Sequence, residues 1–147
     1  MGRAVLFGKR VRSVKRILIV EDEPLIAFDS EHWLGGKGYE VVATVDSLAA
    51  AREIIAAEPL DLILTDIGLS GEGTGLDVAR AAGEQGVAVL FVTGQFPEAN
   101  EHLGIGCLTK PYSDASLLGA IAAIERKLSG RRVRKLPAGL RLFETAV

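Results

Sequence analysis

Between residues 17 and 109, short apolar runs alternate with longer stretches in which apolar positions recur every three or four residues. Five of the runs read as strands: Ile17 to Val20, Tyr39 to Val45, Asp61 to Asp66, Ala88 to Thr93 and Cys107 to Thr109. Most of them lack polar alternation, as strands covered on both faces do. The stretches between them carry helix signals. Pro24 suits a first turn, Ser47 and Ser113 are good N-caps, and Gly35-Gly36, Gly83 and Gly130 are expected stops. The first helix is expected from Pro24 to about Leu34, with Leu25, Phe28 and His32 near one face and Trp33 offset as packing. The second runs from Ser47 to Glu58. The last, Asp114 to Leu128, sets Leu117, Leu118, Ile121, Ile124 and Leu128 in one stripe that faces the sheet.

Repeated strand-helix units of this kind predict a mainly parallel α/β sheet with helices on both faces. In such sheets ligands bind outside the carboxyl ends of the strands, and four of the runs end in reactive groups. Glu21-Asp22-Glu23 follows the first, Asp66 closes the third, Thr93 the fourth, and Lys110-Pro111 follows the fifth. A carboxylate can accept a phosphoryl group by in-line attack on phosphorus, and Asp66, at the end of Leu62-Ile63-Leu64-Thr65, is the candidate acceptor. Three acids beside it repel an incoming anion, which a divalent cation with hard oxygen ligands would reverse. The expected Mg²⁺ set is Asp22 and Asp66 directly, Glu21 through water, and the carbonyl of Gly68. Lys110 supplies a compact positive charge toward Asp66, and Thr93 a hydroxyl toward a phosphoryl oxygen. Taken singly, each group has a plainer use as a turn residue, a solvated acid or sheet packing.

At 147 residues, with 48% hydrophobic and 24% charged residues, the chain suits one well-cored domain. No apolar stretch reaches bilayer length, the basic start lacks a signal-peptide core, and the single cysteine, Cys107, makes no internal disulfide, so a cytoplasmic location is expected. Charge divides the chain further. Residues 1–16 hold six Lys/Arg and no acid, and residues 126–147 hold seven against Glu144, while the middle carries eighteen acids against four bases. The expected organisation is a basic extension over 1–15, a folded body over 16–128 and a basic extension over 129–147, whose stretch from Leu136 to Phe143 is apolar enough to dock. The ends read as solvated tails, with no direct DNA or membrane binding expected, since basic residues there are not interleaved with aromatic ones. His32 and His102 lack metal-ligand spacing.

The order of these motifs resembles the receiver domain of two-component response regulators across residues 16–128. Ile17-Leu18-Ile19-Val20-Glu21-Asp22-Glu23-Pro24 is similar to that family's first strand and acid pocket, Asp61-Leu62-Ile63-Leu64-Thr65-Asp66-Ile67 to its phosphoacceptor strand, and Thr109-Lys110-Pro111-Tyr112 to its final signature. The resemblance implies a flavodoxin-like sheet in the order 2-1-3-4-5 and Mg²⁺-dependent transfer from a histidine kinase phosphohistidine to Asp66. Phe91-Val92-Thr93-Gly94-Gln95-Phe96 resembles the Phe-Ala-Thr-Gly motif of an atypical stand-alone group, which implies bacterial general-stress signalling. Cys107 stands where ordinary receivers carry the rotating Tyr or Phe of their switch, and the short interval from Thr93 to Lys110 leaves a short helix four, roughly Pro97 to Leu103. With no output domain expected after the last helix, the implied role is a monomeric or weakly dimeric regulator. It would signal to a downstream regulator or phosphotransfer protein by contact, or act as a phosphate sink or relay, with no catalysis beyond its own phosphorylation and dephosphorylation.

Three rivals are weighed against this. An aspartate-nucleophile phosphatase needs an acid two residues beyond the nucleophile, where Gly68 stands. A flavodoxin-like cofactor module needs a phosphate-cradling loop where Glu21-Asp22-Glu23 stands. A receiver fold used only as a non-phosphorylated protein-binding scaffold is the alternative to the phosphoacceptor role, disfavoured by the intact acid set.

Overall fold

A computed structural model describes residues 5–6, 9–10 and 13–144. The strands are β1 (Arg16–Val20), β2 (Glu40–Val45), β3 (Leu62–Thr65), β4 (Ala88–Thr93), β5 (Gly106–Thr109) and β6 (Leu140–Leu142). The helices are α1 (Pro24–Gly36), α2 (Leu48–Ala57), α3 (Gly75–Glu84) and α4 (Asp114–Leu128). They form one sheet in the order β2-β1-β3-β4-β5-β6, parallel throughout except that β6 runs antiparallel to β5. The expected parallel order of five strands holds, and the C-terminal stretch adds a sixth at its edge. The basic N-terminal extension falls largely outside the described residues; within it, Val5–Leu6 pairs antiparallel with Lys9–Arg10.

Both faces of the sheet are apolar, and the pleat divides each strand between them. Ile17 and Ile19 of β1 join Leu62, Leu64, Leu90 and Val92 beneath α1 and α4, while Leu18 and Val20 join Ile63, Val89 and Phe91 beneath α2 and α3. A fully apolar strand is therefore required at the centre.

The helices start where the caps predict. Ser47 Oγ accepts the N–H of Ala50, Ser113 Oγ accepts that of Ser116, and Pro24 occupies the first turn of α1. A capping box also opens α3: Thr74 Oγ1 accepts the N–H of Leu76, and Asp77 reaches back to the N–H of Thr74 at 2.9 Å. The expected stops fall at the helix ends, α1 finishing on Gly36 and α3 one residue past Gly83, and the turns that follow lie at Gly38 and Gly86, whose φ angles of 89° and 71° put them in the left-handed region that glycine tolerates.

The helix faces sort by burial, and one expectation, that of Leu128, is corrected. In α1 the buried positions are Ala27, Ser30 and Leu34, while Leu25 and Phe28 stand in solvent with His32 stacked on Phe28. Trp33 packs edge-on against Tyr112. In α4, Leu117, Ile121 and Ile124 are buried with Ala120 and Ala123, but Leu128 is exposed at the end of the stripe. Between β4 and β5 the expected helix over Pro97 to Leu103 reduces to a single 3-10 turn at Glu101–Leu103. Pro97 offers no amide hydrogen, Ala99 sits at φ 63°, and Gly104 ends the segment, so an α-helical ladder has too few donors and too little length to start.

Candidate phosphoacceptor site

The parallel register brings the ends of β1, β3, β4 and β5 level at one edge. Val20 pairs with Thr65, Thr65 with Phe91, and Thr93 with Thr109, so the residues just beyond them face a common crevice. Backbone bonds continue past the strand ends: Asp66 N–H donates to the carbonyl of Val20 and Lys110 N–H to that of Thr93, each at 3.0 Å. Side chains that the sequence separates by dozens of residues are thereby fixed against one another.

Lys110 is the centre of the crevice. Its Nζ donates to Asp66 Oδ2 and Glu23 Oε2 at 2.6 Å each and to Glu21 Oε2 at 3.0 Å. Glu21 Oε1 lies 2.8 Å from the same nitrogen as an ion pair without hydrogen-bond geometry, which leaves this buried oxygen unsatisfied. The second oxygen of Asp66, Oδ1, accepts the N–H of Ile67 at 2.7 Å. Burial opposes charge at Lys110, yet the hydrogen bonds it donates to Asp66, Glu21 and Glu23 outweigh it and hold the ammonium proton above the ordinary lysine range. At Glu21 the balance is opposite: burial dominates and pushes its carboxyl up despite the Lys110 contact.

Ligand oxygens of Glu21, Asp22, Glu23 and Asp66 lie within 4.8 Å of one another. The set is made of hard oxygen donors, one of its buried oxygens accepts no hydrogen bond, and Asp22 makes no hydrogen bond or ion pair with the described residues, so it suits a small divalent cation. Glu23 was not assigned a role from sequence, although it belongs to the same Glu-Asp-Glu run. Gly68 is exposed two residues beyond Asp66, with open space where a side chain would begin.

Thr93 is buried, and its Oγ1 accepts the N–H of Gln95 at 3.1 Å, leaving its own proton free to donate elsewhere. Tyr112 and Ser30 share a 2.8 Å hydrogen bond between the loop before α4 and α1, a contact that no sequence signal announces. The Lys110–Pro111 peptide bond is cis. Gly75 lies tight against the backbone of Asp66: a Cβ there would overlap the carbonyl oxygen of Asp66, and Gly75 N–H donates to the carbonyl of Ile67 at 2.8 Å. Cys107 is buried, its thiol pushed up to about 11 by desolvation, as befits a packing residue.

Comparison with known proteins agrees with this geometry. Residues 17–122 match the family model described as the response regulator receiver domain. The response regulator protein PmrA of Pseudomonas aeruginosa is 33% identical over 131 residues, covering 84% of this chain and 58% of PmrA. The crystal structure of a CheY-like response regulator receiver domain protein from Methanospirillum hungatei superposes with a TM-score of 0.67 at 27% identity, covering 80% of this chain and 95% of that one. That of the response regulator TrrA from Thermotoga maritima, in complex with Mg²⁺-BeF, does so with a TM-score of 0.64 at 25% identity, covering 71% and 93%. The chain spans roughly two-fifths to three-fifths of the length of the curated relatives it matches. No helix among the described residues is long and apolar enough to cross a membrane. With the family model spanning most of the chain, this protein belongs to the response regulator receiver domains of two-component signal transduction.

Proposed function

We propose that the chain accepts a phosphoryl group on Asp66 from the phosphohistidine of a histidine kinase, holds it briefly, and passes on the signal by protein contact or discharges it as a sink or relay. The observation that carries this is the Lys110 ammonium shared by Glu21, Glu23 and Asp66, carboxylates from two different strand ends. A structural ion pair needs one carboxylate; three around one amine leave excess negative charge that has a use only when a cation and an anion join it.

In the transfer, a carboxylate oxygen of Asp66 forms a bond to phosphorus as the bond to the donor imidazole nitrogen breaks, its electron pair staying on that nitrogen. Lys110 is already within hydrogen-bond reach of Asp66 and stabilises the oxygens that gain charge. Thr93 would donate its hydroxyl to a second phosphoryl oxygen. Gly68 leaves the flank of Asp66 open, which favours a later attack by water and hence turnover. Asp22 and Asp66 would hold Mg²⁺ directly, with Glu21 through water and the carbonyl of Gly68 completing the set. The ion would supply the positive charge that lets an anion approach this rim.

Leu25 and Phe28, exposed on α1 just after the Glu-Asp-Glu run, favour a protein donor over a small molecule. We take residues 16–128 as the receiver body, with basic extensions on either side. The test is to incubate the protein with acetyl phosphate and Mg²⁺ and read the intact mass. A phosphoryl adduct is expected that vanishes in Asp66→Asn and on chelation. An adduct that survives either change rules out this assignment, and no adduct at all leaves the non-phosphorylated scaffold role.

A further inference from the structure

Thr93 is followed two and three residues later by Gln95, which its hydroxyl binds, and Phe96, which the C-terminal strand grips. The Phe96 ring meets Phe143 edge-on with centroids 5.8 Å apart, and the Arg141 guanidinium carbon lies 4.4 Å from the centre of the same ring. Phe143 is buried in one apolar cluster with Phe91 and Cys107, and its N–H donates to the carbonyl of Ile105 at 3.0 Å. Arg141 pairs with Cys107 across the β5–β6 ladder. Where β5 has Cys107, an aromatic ring thus comes from Phe143, just after β6, and it rests on the loop that begins at Thr93.

We propose that Phe96, held by Arg141 and Phe143, couples the state of Asp66 to the docking of β6, so that phosphorylation loosens residues 139–143 from the edge of β5. The coupling rests on the phosphoacceptor assignment of Asp66. Rotation of the Thr93 side chain toward a phosphoryl oxygen would carry its Oγ1 away from the Gln95 N–H it now accepts, next to Phe96. The loop beyond has one 3-10 turn in place of a helix and keeps Ala99 in the left-handed region, which a residue with a side chain adopts at a cost. Its shape therefore depends on contacts such as the one at Phe96. β6 is a three-residue edge strand and so belongs to the easily released end of the structure. By linkage, releasing β6 must in turn favour the phosphorylated form.

The full chain is treated with acetyl phosphate and Mg²⁺, the adduct is quantified by intact mass, and amide exchange is followed on peptides spanning 94–104 and 139–144. Exchange at 139–143 is expected to rise about tenfold in the adduct while that of β3 stays unchanged, an opening of subglobal rather than global kind. Phe96→Ala should speed exchange in the same peptide before any phosphorylation. Arg141→Ala, a change at an exposed residue that spares the core, should do so more weakly and tighten beryllofluoride binding about fivefold through the reciprocal coupling. Full adduct formation with unchanged exchange at 139–143 overturns the coupling and leaves the phosphoacceptor function standing. Wild-type exchange in both variants overturns it as well. Absence of any adduct overturns the phosphoacceptor function, and the coupling falls with it.

Discussion

The acid rim and the Phe96–Phe143 seam both border Thr93, yet opposite physics holds them together. At the rim, one partly buried ammonium gathers three carboxylates, and the arrangement stores negative charge it has not neutralised. At the seam, aromatic and apolar surfaces meet with a single exposed guanidinium laid over them. Local strand ends build the first, and a long return of the chain builds the second. The rim is a place where stability has been given up for chemistry, whereas the seam is ordinary stabilising packing whose release would need an outside cause.

Substitutions should separate the two. Phe143→Ala is expected to cost about 3 kcal/mol of global stability in urea unfolding, as for a truncated core phenylalanine. A loss under about 1 kcal/mol would mean that β6 lets go by itself without the sheet noticing. Lys110→Ala should cost about 3 kcal/mol near neutral pH, because it strands buried carboxylates without a partner. Unlike the seam variant, it should recover part of that loss when Mg²⁺ is added, which a paired set of melts with and without the ion would detect.

A smaller and slower effect comes from pH. The Glu21 carboxyl is pushed up by burial, so the folded protein binds more protons than the unfolded one between the ordinary Glu value and the raised one. Stability contributed by Glu21 is therefore complete below that window and lost as pH rises through it, with a slope of at most about 1.4 kcal/mol per pH unit. Glu21→Gln should flatten this part of a stability–pH curve, and a curve that keeps its slope would remove Glu21 as the cause. Smallest of all, Asp22→Asn should stabilise the metal-free protein by about 0.5 kcal/mol, since it subtracts a charge that has no partner. The same change should weaken Mg²⁺ binding at least tenfold by titration, the order of loss seen when metal-site residues are altered.

The same contrast explains what could be read from the sequence. The rim was legible because each of its groups follows an apolar run directly, and a parallel sheet aligns such ends without further information. Glu23 was the exception, since a run of three acids does not say which of them turn inward. Ser47 and Ser113 declared their helices through local side-chain bonds. The seam was not legible in the same way. Leu136 to Phe143 looked apolar enough to dock, but pairing Leu140 with Leu108 depends on contacts across more than thirty residues, and no local periodicity encodes that. The missing helix after β4 had a local signal in Pro97 and Gly104, outweighed by the expectation that each crossover carries a helix. The stops at Gly36 and Gly83 fell within a residue of the helix ends, while the left-handed turns that require glycine lie two or three residues further on, at Gly38 and Gly86.

Where Gly75 lies against the carbonyl of Asp66 there is no room for even a methyl group, so helix α3 and Asp66 behave like two parts of a lever machined without clearance. Any shift of the Asp66 backbone must push the first turn of α3, and through it the neighbouring α2. A regulator with such a joint has a second outlet for motion, on the face of the sheet away from α1 and α4, and alanine at residue 75 would jam it.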